Sequence, residues 1–537
     1  MNQPVDIRPA DLSIVHQILR DALPHDVRVW VFGSRAKWTT RDSSDLDLAV
    51  DAGRALARDE EIALSDAFEE SDLPYKVDVV DMHNVSDGFK AVIERDKVLL
   101  PKAGEWRTEK LSELVDRRRG ISYGVVQPGY PVLGGIPMVR VNNIKNGHII
   151  KDEILKISAD IEAKHSRTRL KGGEVLMTIV GTVGDTAITT KHEAGWNVAR
   201  AVAVIPPRED LSAKWIQLCL QSPSVREVIF NRVTTTVQAT LNLRDISELD
   251  IPMPPDDERK AISAILGALD DKIELNRRMN ATLEEMARAL FKSWFVDFDP
   301  VHAKMEGKQP FGMDAAIAAL FPSRLAPSPL GDIPEGWSAS CIGREITTVL
   351  GGTPSREIDS FWGGHIPWIN SGKANEFRIT EASEYITAEG LNNSSTKIMP
   401  SRTTVVAITG ATLGQVSLVE IETCGNQSLV GVLGNDRFPS EFVYFWIKEN
   451  IRNLLASQTG GAQQHINKNN VNDLGLIVPA HAVMSEYENI SKEIFDIIKG
   501  NCIENRSLAN MRDYLLPKLI SGDIRIGDVE KFVGKIC

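Results

Sequence analysis

The chain has 537 residues, a mean hydropathy of -0.15 and a formal net charge of -12. That length exceeds a single core, since domains usually hold roughly 100–200 residues, and no apolar run reaches the ~18 residues that a membrane span requires. Five scattered cysteines without a CxxC pair exclude a disulfide framework or zinc ribbon, and no signal peptide is visible, so the expected setting is a reducing, cytoplasmic one away from membranes.

The acidity is uneven. Residues 1–103 hold 20 acids and 13 bases, a net of -7, whereas residues 104–255 hold 17 acids and 20 bases, a net of +3. A polyanion-binding surface is therefore compatible with the second stretch, despite the acidic total.

Elements in the first hundred residues form a compact pattern. VRVWVFGSRA (Val27–Ala36) reads as a strand ending in a Gly-Ser turn. SDLDLAV (Ser44–Val50) reads as a second strand, with Asp45 and Asp47 at i and i+2 on one face. YKVDVVDM gives a third strand carrying Asp78. Carboxylates so arranged can hold divalent ions that steady a triphosphate and activate a hydroxyl. Gly33 permits close backbone approach to phosphate, and Ser34 adds a hydroxyl donor.

This order of Gly-Ser, a gap, Asp-x-Asp and a later strand Asp resembles the minimal nucleotidyltransferases of the polymerase-β superfamily, over about residues 10–100. The resemblance implies a small α/β domain that transfers nucleotidyl groups, often AMP. It implies Asp45, Asp47 and Asp78 as catalytic metal ligands, and Gly33, Ser34 and Arg35 at the nucleotide. The implied cofactors are Mg2+ and a nucleoside triphosphate. Several members act as antitoxins, so a toxin partner is implied as well. Lys37-Trp38 stands where a glycine is common, and the domain is open to two readings, an active transferase or an inert docking module.

A long internal repeat organises the rest. GEW at Trp106 is echoed by EGW at Trp337, and IPMVRVNNI from Ile136 by IPWINSGKA from Ile366. Gly184 and Gly414 occupy matching turns, and LEEMARALF from Leu283 matches LANMRDYLL from Leu508. Within each copy, β-branched runs bounded by Gly or Pro (VLMTIVG, AVAVIPP; TVVAITG, LVGVLG) read as strands, and a long helix follows. The first helix is expected over about Arg259–Phe295, with a heptad seam through Ile262, Leu266, Leu269, Ile273, Asn276, Asn280, Leu283, Ala287 and Leu290. The second is expected over about Ser485–Leu519, stopped by Ser521-Gly522, with Ile490, Ile494, Ile497, Asn501, Glu504, Leu508, Met511 and Leu515 in its seam. Asn276 falls on Asn501, and Asn280 falls on Asn505, one place off the second seam. Seam asparagines fix register and orientation at a cost in stability.

ALFKSWFVDFDPV (Ala289–Val301) and RDYLLPKLISGDI (Arg512–Ile524) resemble the segments that close the two conserved helices of type I restriction–modification specificity subunits. The match covers about residues 104–525. It implies a multi-domain α+β chain with two β-rich target-recognition domains on two long antiparallel coiled-coil helices of pseudo-twofold symmetry. Each recognition domain would read one half of a split site in double-stranded DNA, as used in phage defence. The helices would act as spacer and as dock for methyltransferase modification subunits, two per chain, and for restriction/translocase subunits. S-adenosylmethionine and ATP would belong to those partners, and the specificity body would bind no cofactor.

The expected domains are 1–103 (nucleotidyltransferase-like), 104–257 (first recognition domain), 258–297 (first spacer helix), 298–334 (connector), 335–482 (second recognition domain), 483–522 (second spacer helix) and 523–537 (tail). Base edges and phosphates are read by Arg, Lys, Asn and Gln. The candidate DNA contacts are Arg117, Arg118, Arg119, Arg140, Asn142, Lys145, Gln238 and Asn242 in the first copy, and Lys373, Gln464, Asn467 and Lys468 in the second. Trp362 and Trp368 are read as core rather than base stackers. An alternative reading makes the chain a nucleotidyltransferase whose DNA-reading body serves targeting or regulation. The body itself contains no evident catalytic cluster.

Overall fold

The computed structural model describes residues 5–23, 27–37, 39–40, 44–100, 106–233, 239–456 and 465–529. They form two compact units, Met1–Leu269 with Asn510–Cys537, and Asp270–Ala509.

In the first unit, the N-terminal domain is a four-stranded sheet in the order β3-β2-β1-β4. Its strands are β1 (Arg28–Phe32), β2 (Leu46–Asp51), β3 (Val77–Asp81) and β4 (Val98–Leu99). β1 runs antiparallel to β2 and β4, while β2 and β3 are parallel. Alternation decides the two faces. Leu46, Leu48 and Val50 pack against α1 (Pro9–Ala22) and α3 (Arg58–Glu69) through Val15, Leu19, Leu64 and Phe68. Ala49 and Phe32 pack on the opposite face with Ile93 of α4 (Asp87–Asp96). The strand expected to end in a Gly-Ser turn does so at Gly33, where the short helix α2 (Gly33–Ala36) begins.

The repeat seen in the sequence is a repeat of topology. In the first copy, a four-stranded sheet runs in the order Thr186–Ile188, Val175–Thr178, Val202–Ile205, Ser122–Tyr123. In the second copy the order is Val416–Leu418, Thr404–Ala407, Leu429–Val432, Thr348–Leu350. A second sheet in each copy centres on Ile136–Val139 or Trp362–Ile369, with one antiparallel and one parallel neighbour. Gly184 (φ 97°) and Gly414 (φ 81°) make the equivalent hairpin turns in the left-handed region, where a side chain would be strained.

The long helices span Asp256–Phe295 and His481–Ser521, so the second begins four residues before its expected start. Acids at Asp256, Asp257 and Glu258 oppose the first helix's N-terminal dipole. Gly522 (φ 84°) stops the second, with the amide of Ile524 donating to the carbonyl of Lys518. The helices pair antiparallel. In the first unit Ile262 and Leu266 share a core with Leu515 and Leu519. In the second, the Asn276 amide donates to Asn505 Oδ1 (3.0 Å) and Glu504 Oε2 (2.6 Å), and the Asn501 amide donates to Asn280 Oδ1 (2.8 Å). One asparagine pair is thus the pseudo-twofold image of the other. Ile497, expected in the seam, is 49% exposed. The neighbouring Ile498 is fully buried instead.

A buried ionic cluster joins that copy to both helices within the second unit. The Arg378 guanidinium lies 2.9 Å from Glu284 and 3.8 Å from Glu420. Tyr444 Oη and Lys448 Nζ also donate to Glu284 (2.9 and 2.7 Å). Burial pushes the Glu284 carboxyl up, but Arg378, Lys448 and Tyr444 outweigh it and hold it below its ordinary value. Removing the one fully buried cation should therefore be costly. Arg378→Ala is expected to destabilise the second unit by about 3–5 kcal/mol, the usual penalty for an orphaned buried charge. Urea unfolding of the full chain, followed by tryptophan fluorescence, would show a lower midpoint; an unchanged midpoint would mean that the cluster contributes nothing net.

Candidate functional site

The N-terminal site is built where β1 ends. The extended backbone of Phe32 breaks at Gly33 (φ 74°). A Cβ there would lie 2.1 Å from Asp47 Oδ2, so only glycine lets the chain pass this carboxylate. Ser34 follows in the first turn of α2, half-buried.

Asp47 and Asp78 are register partners on neighbouring parallel strands, and Asp45 lies just before β2. Burial raises the Asp47 carboxyl pKa, with further contributions from Asp78 and Asp45; Arg35 opposes them. Lys76 Nζ is bonded to Asp78 Oδ1 at 2.5 Å. Among the described residues, no three acidic, histidine or cysteine side chains converge closely enough to hold a metal ion as they stand. The donor chemistry nonetheless fits a hard divalent cation: three carboxylates, one of them pushed towards its neutral form by burial and like charge. Lys76 occupies the position from which Asp78 would have to swing. Its signal was legible, since Lys76 and Asp78 are at i and i+2 on one strand face.

Arg35, expected at the nucleotide, is only 7% exposed. Its guanidinium donates to the carbonyls of Asp6 (2.7 Å), Ser44 (2.8 Å) and Asp45 (3.3 Å), and stacks 3.7 Å from the Tyr75 ring. It fixes the segment that delivers Asp45, with Nε and both Nη atoms each donating to a backbone carbonyl.

The candidate DNA contacts separate in the same way. Arg119 is bonded to Glu174 (2.7 Å) and the Arg169 carbonyl, and Arg140 to the Glu153 carbonyl (2.9 Å). Lys373 is held between Glu376 (2.7 Å) and Glu381 (3.0 Å), with 15% of its side chain exposed. These three side chains are each engaged within their own copy. Arg117 and Arg118 are exposed in the turn before Gly120. Asn142 and Lys145 are exposed on a hairpin whose Gly147 carbonyl accepts from Gln217 (3.1 Å). Asn242 is exposed at the start of the helix Leu243–Ser247. Asn467 caps the helix Lys468–Asn472 through a reciprocal bond with Asn470, and Lys468 is half-exposed there. Gln238 and Gln464 lie outside the described residues. The described residues that follow them have equivalent anchors: Leu241 donates to the Ile179 carbonyl, and Ile466 to that of Ile408.

A family model described as the type I restriction modification DNA specificity domain matches residues 106–285 and again 334–513. The chain belongs to that family. A polymerase beta nucleotidyltransferase model matches residues 16–104. The chain is similar to the type I restriction enzyme HindI specificity subunit of Haemophilus influenzae, with 26% identity over 468 residues, 78% of this chain and 100% of that protein. Its N-terminal part is similar to the probable protein adenylyltransferase MntA of the same organism, with 41% identity over 99 residues, 18% of this chain and 83% of that one. The solved type I S subunit from M. genitalium aligns with a TM-score of 0.47 at 14% identity, over 79% of this chain and 98% of that one. No helix among the described residues is long and apolar enough to cross a membrane.

Gly33 gives a direct check of the N-terminal site. Gly33→Ala is expected to displace Asp47 and to weaken Mg2+-dependent binding of a non-hydrolysable ATP analogue by roughly tenfold or more, because the new methyl overlaps a carboxylate oxygen and the φ is strained. Titration calorimetry would measure this, and undiminished binding would remove Gly33 from the site.

Proposed function

We propose that this chain is the DNA-reading subunit of a type I restriction–modification complex in the cytoplasm, carrying a Mg2+-dependent nucleotidyltransferase domain at residues 1–103. The observation that carries the reading is the repeated strand order with equivalent loop anchors in the two copies. One fold used twice presents two loop sets of different sequence, which suits a double-stranded site with two unlike halves. Arg117, Arg118, Asn142, Lys145 and Asn242 are the proposed contacts of the first recognition domain, 104–257. Asn467 and Lys468 serve the second, 335–482. The helices, proposed as spacers over 258–297 and 483–522, would set the separation of the half-sites and dock two methyltransferase subunits and the restriction/translocase subunits, which bring S-adenosylmethionine and ATP.

In the N-terminal domain, Asp45, Asp47 and Asp78 would hold Mg2+, with Gly33 and Ser34 at the triphosphate. A divalent ion there would neutralise charge on the triphosphate and orient its α-phosphoryl group. Arg35 and Gly33 position the carboxylates. The acceptor hydroxyl oxygen bonds to the α-phosphorus as the bond to pyrophosphate breaks. Pyrophosphate leaves with the electron pair, and the hydroxyl proton passes to water. The similarity to a probable protein adenylyltransferase favours ATP as donor and a protein as acceptor; a toxin-like partner is one such acceptor.

Two outcomes are expected from methylation-site sequencing in cells that express the chain with its modification subunit. Wild type should give one split motif, and replacing residues 335–482 by the corresponding domain of another specificity subunit should change one half only. A change in both halves would refute independent reading. Asp45→Ala with Asp47→Ala should leave the motif unchanged, yet abolish transfer of labelled nucleotide from ATP to any protein acceptor, since too few ligands remain to hold the ion. Retained transfer would show that these carboxylates do not carry the chemistry.

A further inference from the structure

β3 ends its sheet. In the order β3-β2-β1-β4 it pairs with β2 on one side and with no other strand among the described residues on the other. Two bonds fix which backbone groups are free. The Leu46 amide donates to the Lys76 carbonyl (2.8 Å), and the Met82 amide to the Val50 carbonyl (2.9 Å). In a parallel ladder alternate residues serve one neighbour, so Lys76, Asp78, Val80 and Met82 face β2. The N–H and C=O groups of Val77 and Val79 are directed to the open edge, whereas the Asp81 carbonyl accepts from the Asn84 amide in the turn that follows (3.0 Å).

That edge opens into a cleft of about 760 Å³, lined by Glu61, Phe68 and Glu69 of α3, by Phe89 of α4, and by every residue of β3. Consecutive strand residues point to opposite faces. They can all line one cleft only if it runs along the strand edge, between the helices covering the two faces. The cleft therefore offers a row of backbone partners between walls that carry Phe68 and Phe89, with Glu61 and Glu69 on the α3 side. Natural edges are usually blunted by charged side chains, lysine above all, by proline or by a bulge. β3 reads Val-Asp-Val-Val-Asp, with no lysine, proline or bulge, so the charge it presents is acidic alone. Asp78 of the carboxylate triad is one of its residues, so a segment laid along this edge passes beside the transfer site.

The charge of the cleft selects among occupants. Glu61 and Glu69 are exposed at its α3 wall, and Asp78 is half-exposed. Lys76, a cation at the cleft, is already bonded to Asp78. The whole of residues 1–103 carries a net charge of -7. A nucleic-acid backbone would be repelled here, whereas a basic chain would be attracted.

We propose that the open edge of β3 is the acceptor site of the N-terminal domain, and that it takes an extended peptide segment of a protein partner, which adds as a fifth strand, carries basic residues against Glu61 and Glu69, and presents a side-chain hydroxyl beside Asp78. This rests on the nucleotidyl-transfer reading for its chemistry, but the binding mode stands on the geometry of β3. Main-chain bonds supply affinity in such strand addition, and alternate side chains supply selectivity.

The test uses the full chain and three fluorescent probes of equal length: an extended Val/Thr/Tyr peptide with flanking lysines, the same peptide with glutamates in their place, and a single-stranded RNA. Anisotropy should rank the lysine peptide at least about tenfold above the other two. Glu61→Lys with Glu69→Lys should reverse the preference between the peptides, and Val79→Pro, which removes an outward N–H, should weaken both by about tenfold. Far-UV circular dichroism reports whether Val79→Pro folds; if it does not, the charge-reversal variant alone decides. Transfer from labelled ATP is followed in parallel. Peptide binding that obeys these changes without any labelled product would retain the cleft and remove the transfer reading. Transfer that ignores all three substitutions, tighter binding of RNA, or no peptide binding would overturn the cleft.

Discussion

Neither recognition copy closes its own core; the long helices finish it. In the second unit Phe291, Trp294 and Phe295 of the first long helix and Tyr487 and Phe495 of the second are buried with Phe442 and Phe445 of the second copy. The ring of Phe295 meets Phe442 and Tyr487 edge-on, each at 5.0 Å. Each such ring contributes roughly 1.5–3 kcal/mol by burial and about 0.5–1.5 kcal/mol more by edge contact. In the first unit the same service is performed by Ile262, Leu266, Leu515 and Leu519, with the Trp106 indole donating to the Leu519 carbonyl (3.1 Å). A helix that is at once the wall of a domain and half of a seam cannot drift in register without opening a core.

The two copies share topology but not the means of attachment. The ionic cluster around Arg378 belongs to the second unit alone. Applying the repeat offset, Arg378 falls on His148 and Glu284 on Ala509, so the first copy has neither the cation nor its carboxylate. Buried ions are poor sources of net stability, since desolvation opposes attraction. Glu420 shows the expense: burial raises its carboxyl pKa despite Arg378, Lys499 and Arg402. What the cluster supplies is a fixed orientation. A guanidinium flanked by two carboxylates from different elements has one satisfactory arrangement, whereas an aromatic core tolerates small rotations. The asparagine pairs act similarly, because Asn276 and Asn280 find partners only when Asn505 and Asn501 are opposite.

Much of this was legible because it depends on periodicity. The seam of the first helix is buried at Ile262, Leu266, Ile273, Asn276, Asn280 and Ala287, where the heptads place it. The second helix was harder, because it carries two adjacent apolar faces. Period alone cannot distinguish the face that meets a helix from the face that meets a sheet, and the choice fell on Ile497 rather than Ile498. Gly33, Asp45, Asp47 and Asp78 were legible as a motif on strands. The internal bonds of Arg35, Arg119, Arg140 and Lys373 were not legible, for a different reason. A basic side chain shows its availability only through its partner, and Glu174 stands 55 residues from Arg119. The free edge of β3 was invisible in the sequence, since strand order is set by packing rather than by composition.

Electrostatics explains why an acidic chain can belong to a DNA-specificity family. At physiological ionic strength charges act over a Debye length of about 8 Å, so a surface responds to its own residues and hardly to the total. Residues 1–103 at -7 and residues 104–255 at +3 therefore behave as separate fields. The first disfavours a phosphate backbone and suits a basic peptide; the second permits phosphate contacts. Pairing inside the recognition copies sharpens this. Arg119, Arg140 and Lys373 are engaged by internal bonds, whereas Arg117, Arg118, Lys145, Lys156, Lys164, Arg200 and Arg244 of the first copy are exposed. Contact with a phosphate backbone would fall to such exposed side chains, and each one engaged would steepen the salt dependence of binding.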